Sequence, residues 1–181
     1  MFKACFQELC LSVGEDPSRE GLQNTPKRVK ALWADLMAGY KQDPKEILSA
    51  ALCAPSSGLV VLQNIEFYSV CEHHLLPFFG RVSVGYLPGA KIVGLGAIVR
   101  LVECFSRRLQ IQERLGMQIA KSLQECLEPR GVGVLCVARH LCVAMQGVQK
   151  QESVLKTSCR LGAFEDPAIY QEFLQSLSAP V

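Results

Sequence analysis

The 181 residues include three histidines, and each stands beside a cysteine. His73 and His74 follow Cys71 in Cys71-Glu72-His73-His74, and His140 precedes Cys142 by two positions. Thiolate and imidazole are the donors Zn²⁺ prefers, and three protein ligands leave a fourth position for a reactive water. Cys71 and His74 are three apart, a separation that one turn folds round a single ion. His140 and Cys142 would leave the same face of a strand. Neighbouring side chains diverge, so His73 and His74 do not share one metal. One is the ligand and the other is free for proton transfer; the spacing leaves open which. The bland alternative is a pair of hydrogen-bonded histidines beside core cysteines. Two Cys/His clusters in one short chain favour a catalytic zinc site.

The elements that must hold these groups follow from periodicity. Phe2, Phe6, Leu9 and Val13 recur at helical spacing, and Gly14-Glu15-Asp16-Pro17 ends that run. Thr25-Pro26 reads as an N-cap with proline at the first helical position. Val29, Leu32, Trp33, Leu36 and Met37 then make one apolar face, closed by Gly39. Residues 50–58 read as a loop, and residues 59–62, 65–68 and 81–86 as strands. Ile98, Leu101, Val102 and Phe105 predict one helix, and Leu115, Ile119, Leu123 and Leu127 another. Residues 132–138 and 142–148 read as two further strands, and Asp166-Pro167 opens a C-terminal helix. Helices and strands fall in blocks without βαβ alternation, which predicts an α+β fold with an antiparallel sheet. The expected division is a helical region over 1–55 and a catalytic unit over 56–181.

Composition bounds the function. A 49% apolar and 20% charged chain is that of an ordinary globular domain. A formal net charge of +2 gives no reason to expect nucleic acid or membrane as a partner. Nine cysteines form an odd, irregularly spaced set, with no secretory signal at the start and no run of 18 apolar residues. A reduced, cytoplasmic protein is expected, with Cys5, Cys10, Cys53, Cys104, Cys126 and Cys136 as small core residues.

Longer stretches carry a resemblance. Phe67-Tyr68-Ser69-Val70-Cys71-Glu72-His73-His74-Leu75-Leu76-Pro77-Phe78-Phe79-Gly80 resembles the signature of the GTP cyclohydrolase I family. So do Arg107-Arg108-Leu109-Gln110-Ile111-Gln112-Glu113-Arg114-Leu115, Gly14-Glu15-Asp16-Pro17-Ser18-Arg19-Glu20-Gly21-Leu22, His140-Leu141-Cys142 and Gly147-Val148-Gln149-Lys150. The motifs keep the family's order over about residues 13–174. The resemblance implies the tunnelling fold, an antiparallel sheet with helices packed on one side, preceded by N-terminal helices. It implies a homo-oligomer, two face-to-face pentamers making a decamer, with sheets joined into a barrel and the active site between subunits. Cys71, His74 and Cys142 match the zinc ligands, and His73 and His140 the proton-transfer histidines. Glu113 matches the carboxylate that accepts from the guanine N–H groups. Gln112 and the backbone at Leu95 and Ile111 match its neighbours around the base. The implied reaction is hydrolytic opening of the guanine imidazole ring of GTP, release of C8 as formate and rearrangement to 7,8-dihydroneopterin triphosphate, a step of pterin and tetrahydrofolate biosynthesis.

The chain departs from the family where the triphosphate is held. Gly96 and Ala97 stand where a serine and a lysine are usual, and Gln146 stands where an arginine is usual. Arg100 alone remains of three cations, with Arg139, Lys156 and Arg160 as candidate replacements. Three functions therefore stand side by side: conversion of GTP, action on a less phosphorylated or altered purine nucleotide, and a catalytically weak subunit that binds purine or pterin.

Overall fold

The computed structural model describes residues 2–53 and 58–178, so part of the expected 50–58 loop lies outside the described residues. In chain order the elements are helices α1 (Phe2–Ser12), α2 (Thr25–Leu36) and α3 (Pro44–Leu48), and strands β1 (Leu52–Cys53), β2 (Val60–Cys71), β3 (Pro77–Leu87) and β4 (Lys91–Ile92). Helix α4 (Leu95–Ser106), strand β5 (Leu109–Gln110), helix α5 (Gln112–Leu127) and strand β6 (Gly131–His140) follow. Helix α6 (Leu141–Ala144), strand β7 (Leu155–Gly162) and helix α7 (Pro167–Ser176) end the chain. No helix among the described residues is long and apolar enough to cross a membrane.

Helix ends obey local chemistry. Gly14 takes a φ of +77°, which costs glycine little, and lets the Glu15 N–H donate to the Cys10 carbonyl and the Gly14 N–H to that of Leu11. Asp166 accepts from the Ala168 N–H ahead of Pro167, and Asp43 caps α3 in the same way. The expected Thr25 cap is displaced by one residue. Thr25 is already helical, and Asn24 takes the cap position without a side-chain bond.

The main sheet runs β5-β2-β3-β6-β7, antiparallel throughout except for the short parallel pairing of β5 on β2. The expected segments 59–62 and 65–68 are one strand interrupted by a bulge, where Asn64 sits at φ 60° and its N–H donates to the Ser83 hydroxyl. The expected strand at 142–148 does not form. Strand β6 ends at His140 opposite Phe78, and the next partner would be Pro77, which has no N–H to give a ladder. The last strand is β7 instead, whose exposed residues and central Cys159 gave little alternation to read.

Val82, Val84 and Tyr86 of β3 share one face with Val132, Val134 and Cys136 of β6, all buried against α4 and α5. Each fully buried aliphatic or aromatic side chain contributes ~1.5–3 kcal/mol. Burial pushes the Cys136 thiol up to about 12, which makes it an inert core group. Cys10 and Cys104 are buried too and Cys126 is half-buried, but Cys5 and Cys53 are exposed, against expectation. Helices α4 and α5 cover one side of the sheet, as the resemblance implies, while the C-terminal segment lies on the other. Gly85 and Gly133 face each other across β3 and β6, and there Phe173 and Phe164 pack edge to face with one another against the sheet, where a Cβ on Gly133 would fall 2.3 Å from the Phe164 ring.

Gly133→Ala should therefore displace the fully buried Phe164 at a cost of ~1–3 kcal/mol. The melting temperature should drop by several degrees in a thermal scan, at ~2–4 °C per kcal/mol. Metal content should not change, because Gly133 is seven residues from His140 along β6. An unchanged melting temperature would refute the packing role.

Candidate metal and proton-transfer site

The β2–β3 connection builds the first half of the site. Cys71 ends β2, and its carbonyl accepts from the Leu75 N–H while its own N–H donates to Leu76, both at 2.9 Å. Leu75 closes this turn in the left-handed region, φ 55°, a conformation that costs a non-glycine residue ~1–2 kcal/mol. The turn is anchored sideways as well. The Glu72 N–H donates to Gln110 of β5, and the Glu72 carboxylate pairs with Arg114 of α5.

The second half comes from the end of β6. With no strand partner beyond His140, the chain winds into the single turn α6, closed by the Met145 N–H donating to Leu141 and by Gly147 at φ 60°. That turn, rather than a strand face shared with His140, delivers Cys142 to Cys71. The Sγ atoms of Cys71 and Cys142 and a ring nitrogen of His74 lie within 4.8 Å of one another. Burial and the neighbouring Cys71 sulfur push the Cys142 thiol up. Two sulfurs this close resist joint ionisation unless a cation lies between them. Two thiolates with an imidazole are a zinc donor set with one open position, so the residues fit that metal.

Two imidazoles border the cluster without joining it. The His73 ring is nearly perpendicular to that of His74, with centroids 6.4 Å apart. Its Nδ1 is 4.0 Å from the Cys71 sulfur and its Nε2 3.9 Å from the Glu72 carboxylate. His140 stacks flat on Phe78, centroids 4.5 Å apart and planes 5° from parallel. Burial lowers its pKa, and the charge of nearby Glu113 partly offsets this. His140 also lines a hollow of about 270 Å³ with Val143, Ser153, Val154 and Leu155. A larger hollow of about 410 Å³ opens on the opposite face of the sheet and touches none of the Cys/His cluster.

The remaining expected site residues divide. Glu113 is exposed on the first turn of α5 beside His140, and the Ile111 N–H there donates to the Gln110 side chain. Gln112 is fully buried and its amide is hydrogen-bonded entirely within the chain, including to His140. Leu95 and Arg100 lie elsewhere. Helix α4 starts beside Tyr86, whose hydroxyl accepts from the Val93 N–H, and Tyr86 lies eight residues from Phe78 along β3, roughly 26 Å. Ala97 is 4% exposed and packs in the core; Gln146 is exposed and donates to the Cys142 carbonyl. Of the candidate replacement cations, Arg139 pairs with Glu152 and Arg160 stacks on Tyr170. Strand alternation puts both, with Lys156, on the face opposite His140 and Thr157. The Glu72–Arg114 pair and the Phe78 stack escaped sequence reasoning, since nothing in their spacing marks them.

The sequence profile of GTP cyclohydrolase I matches residues 2–178. The chain is 56% identical over 176 residues to a GTP cyclohydrolase 1 of Helicobacter pylori (strain G27), covering 96% of this chain and 98% of that one. It is 51% identical over 171 residues to a GTP cyclohydrolase 1 of Leptospira biflexa, covering 93% of each. A crystal structure of the archaeosine synthase QueF-Like in the apo form covers 60% of this chain and 98% of that chain, at 19% identity and a TM-score of 0.48. Matched along nearly its whole length by the profile and by both relatives, the chain belongs to the GTP cyclohydrolase I family.

Proposed function

We propose that this chain hydrolyses the guanine imidazole ring of GTP, releases C8 as formate and yields 7,8-dihydroneopterin triphosphate. The observation that carries this is the Cys71–His74–Cys142 cluster with two unligated imidazoles at its border, in a chain 56% identical to a GTP cyclohydrolase 1. A zinc ion held by Cys71, His74 and Cys142 would supply Lewis acidity, bringing the pKa of a water to ~7. The chain's own groups do the rest. His73 and His140 take and return protons at the ring being opened, a task suited to imidazole near neutrality. Glu113, exposed next to His140, accepts from the guanine N–H groups. Arg100 meets the triphosphate.

Arg100 and Leu95 reach this cluster only from another copy. Their separation from it within one chain supports a site shared between subunits of a homo-oligomer, in this reading a decamer. Exposed apolar residues on the N-terminal helices, Leu9, Leu11 and Leu32 among them, and the open edge of β7 support the same assembly.

Formate release and pterin fluorescence, measured side by side with GTP, GDP, GMP and guanosine, test the activity. GTP should give the highest kcat/KM. A higher value with GMP or guanosine would transfer the reading to an altered purine, and no release from any of them would leave a binding subunit.

Metal analysis after dialysis should find about one zinc per chain, and Cys142→Ser should lose it with the activity. His73→Ala should keep the zinc and lose roughly 10²–10⁴ in kcat. Loss of zinc in His73→Ala but not in His74→Ala would reverse the two assignments.

Light scattering should return an oligomer, with Arg100→Ala chains and Cys142→Ser chains each inactive alone and partly active when co-assembled. An active monomer would refute the shared site.

A further inference from the structure

Gln112 opens α5 and is fully buried. Its side-chain nitrogen lies 3.1 Å from the Cys136 carbonyl, 3.1 Å from the Leu155 carbonyl and 3.1 Å from the Thr157 hydroxyl. Carbonyl oxygens only accept, so two of these partners demand the NH₂ group on that side, and rotating the amide by 180° would set oxygen against oxygen. The orientation of the amide is thus fixed by the backbone of β6 and β7. Its oxygen then faces the Nε2 of His140 at 2.9 Å. An amide oxygen has no proton to offer, so Nε2 must carry one. The flat stack on Phe78 fixes the plane of the same ring. His140 Nδ1 has no hydrogen-bond partner among the described residues.

We propose that Gln112 is a positioning residue that fixes the tautomer of His140, holding the proton on Nε2 and leaving Nδ1 as the atom that accepts and returns a proton during ring opening. This rests on the proposed function for the reaction served, though not for the tautomer itself. Nδ1 takes the proton with its free lone pair, Nε2–H stays bonded to the Gln112 oxygen throughout, and the proton leaves again from Nδ1. The ring need not rotate between the two transfers. Gln112 itself touches no substrate, which departs from the base-binding role that the family resemblance implies for this position.

The three histidines make the assignment directly measurable. Long-range ¹H–¹⁵N spectra of the zinc-loaded, ¹⁵N-histidine-labelled protein should show His140 with Nε2 protonated and Nδ1 bare, the signal being assigned by its loss in His140→Asn. A proton on Nδ1 in the neutral ring would overturn the proposal. Gln112→Met keeps the length of the side chain and removes its acceptor. It should retain zinc and a KM for GTP within about twofold, while kcat falls roughly tenfold to a hundredfold, part of the ~10²–10⁴ a positioned proton-transfer group supplies. A raised KM with unchanged kcat would mean that Gln112 binds the base, and unchanged kinetics would mean that it only packs; either sinks the idea. If Gln112→Met does not fold, the wild-type spectrum alone decides. The spectrum needs no substrate, so a protein that shows the expected tautomer but releases no formate would remove the proposed function and leave the assignment of Gln112 standing.

Discussion

The register of β3 against β6 is the constraint on which everything at the site depends. Phe78 pairs with His140 across this ladder, and on its other side the β2–β3 ladder pairs Phe78 with Ser69. A slip of one residue would turn His140 to the opposite face and put Arg139 in its place. Two features hold the register at this end. Gly80 lets the strands approach so closely that a Cβ there would fall 2.0 Å from the Val137 carbonyl. Pro77, at the first position of β3, ends the ladder. Because β6 loses its partner there, the chain must leave the sheet, and leaving it as a helical turn brings Cys142 to Cys71. The missing hydrogen-bond donor of one proline thus shapes the metal site from across the sheet.

Polar groups in a buried setting must be satisfied, at a cost of ~1–3 kcal/mol for each one that is not. Gln112 meets that requirement fully, with donors and acceptor all engaged. Around it the charged pairs sit on the periphery. Glu72 and Arg114 join the metal-binding turn to α5, both partly exposed, so the pair contributes to placement more than to stability. The cluster itself concentrates two thiols in a half-buried place, where burial already disfavours ionisation of Cys142. Such a group of donors is well matched to a divalent ion.

What the sequence made legible was local. The Cys-x-x-His turn, the glycine stop at Gly14, the Asp166-Pro167 helix start and the amphipathic α4 and α5 all depend on neighbours within a few positions, and each formed as read. What it hid was non-local. The apolar, β-branched run after Cys142 reads as a strand by propensity, but a strand needs a partner, and whether one exists is decided by Pro77, sixty-five residues away. The face on which Arg139, Lys156 and Arg160 project depends on strand parity, which is undefined until register is known. Gln112 looked like a base-binding residue by motif; only the carbonyls of Cys136 and Leu155 show that its amide is already committed.

The division of the expected site between two ends of the sheet has a physical logic of its own. Helix α4 buries Ile98, Leu101, Val102 and Phe105, and its first turn, with Leu95, lies beside Tyr86, at the end of β3 away from the Cys71–His74 turn, with Arg100 one turn further along. The β2–β3 hairpin must close at the other end. Within one chain the first turn of α4 and the Cys71–His74 turn therefore stand at opposite ends of the sheet. On the proposed reading Arg100 comes from a neighbouring copy, so assembly is a condition of turnover rather than an addition to it. The arrangement also separates the tasks. The Cys71–His74–Cys142 cluster and the imidazoles that border it are positioned within one chain, where sub-ångström placement matters most. On the same proposed reading the long, flexible triphosphate is met across an interface, where a charge at longer range suffices.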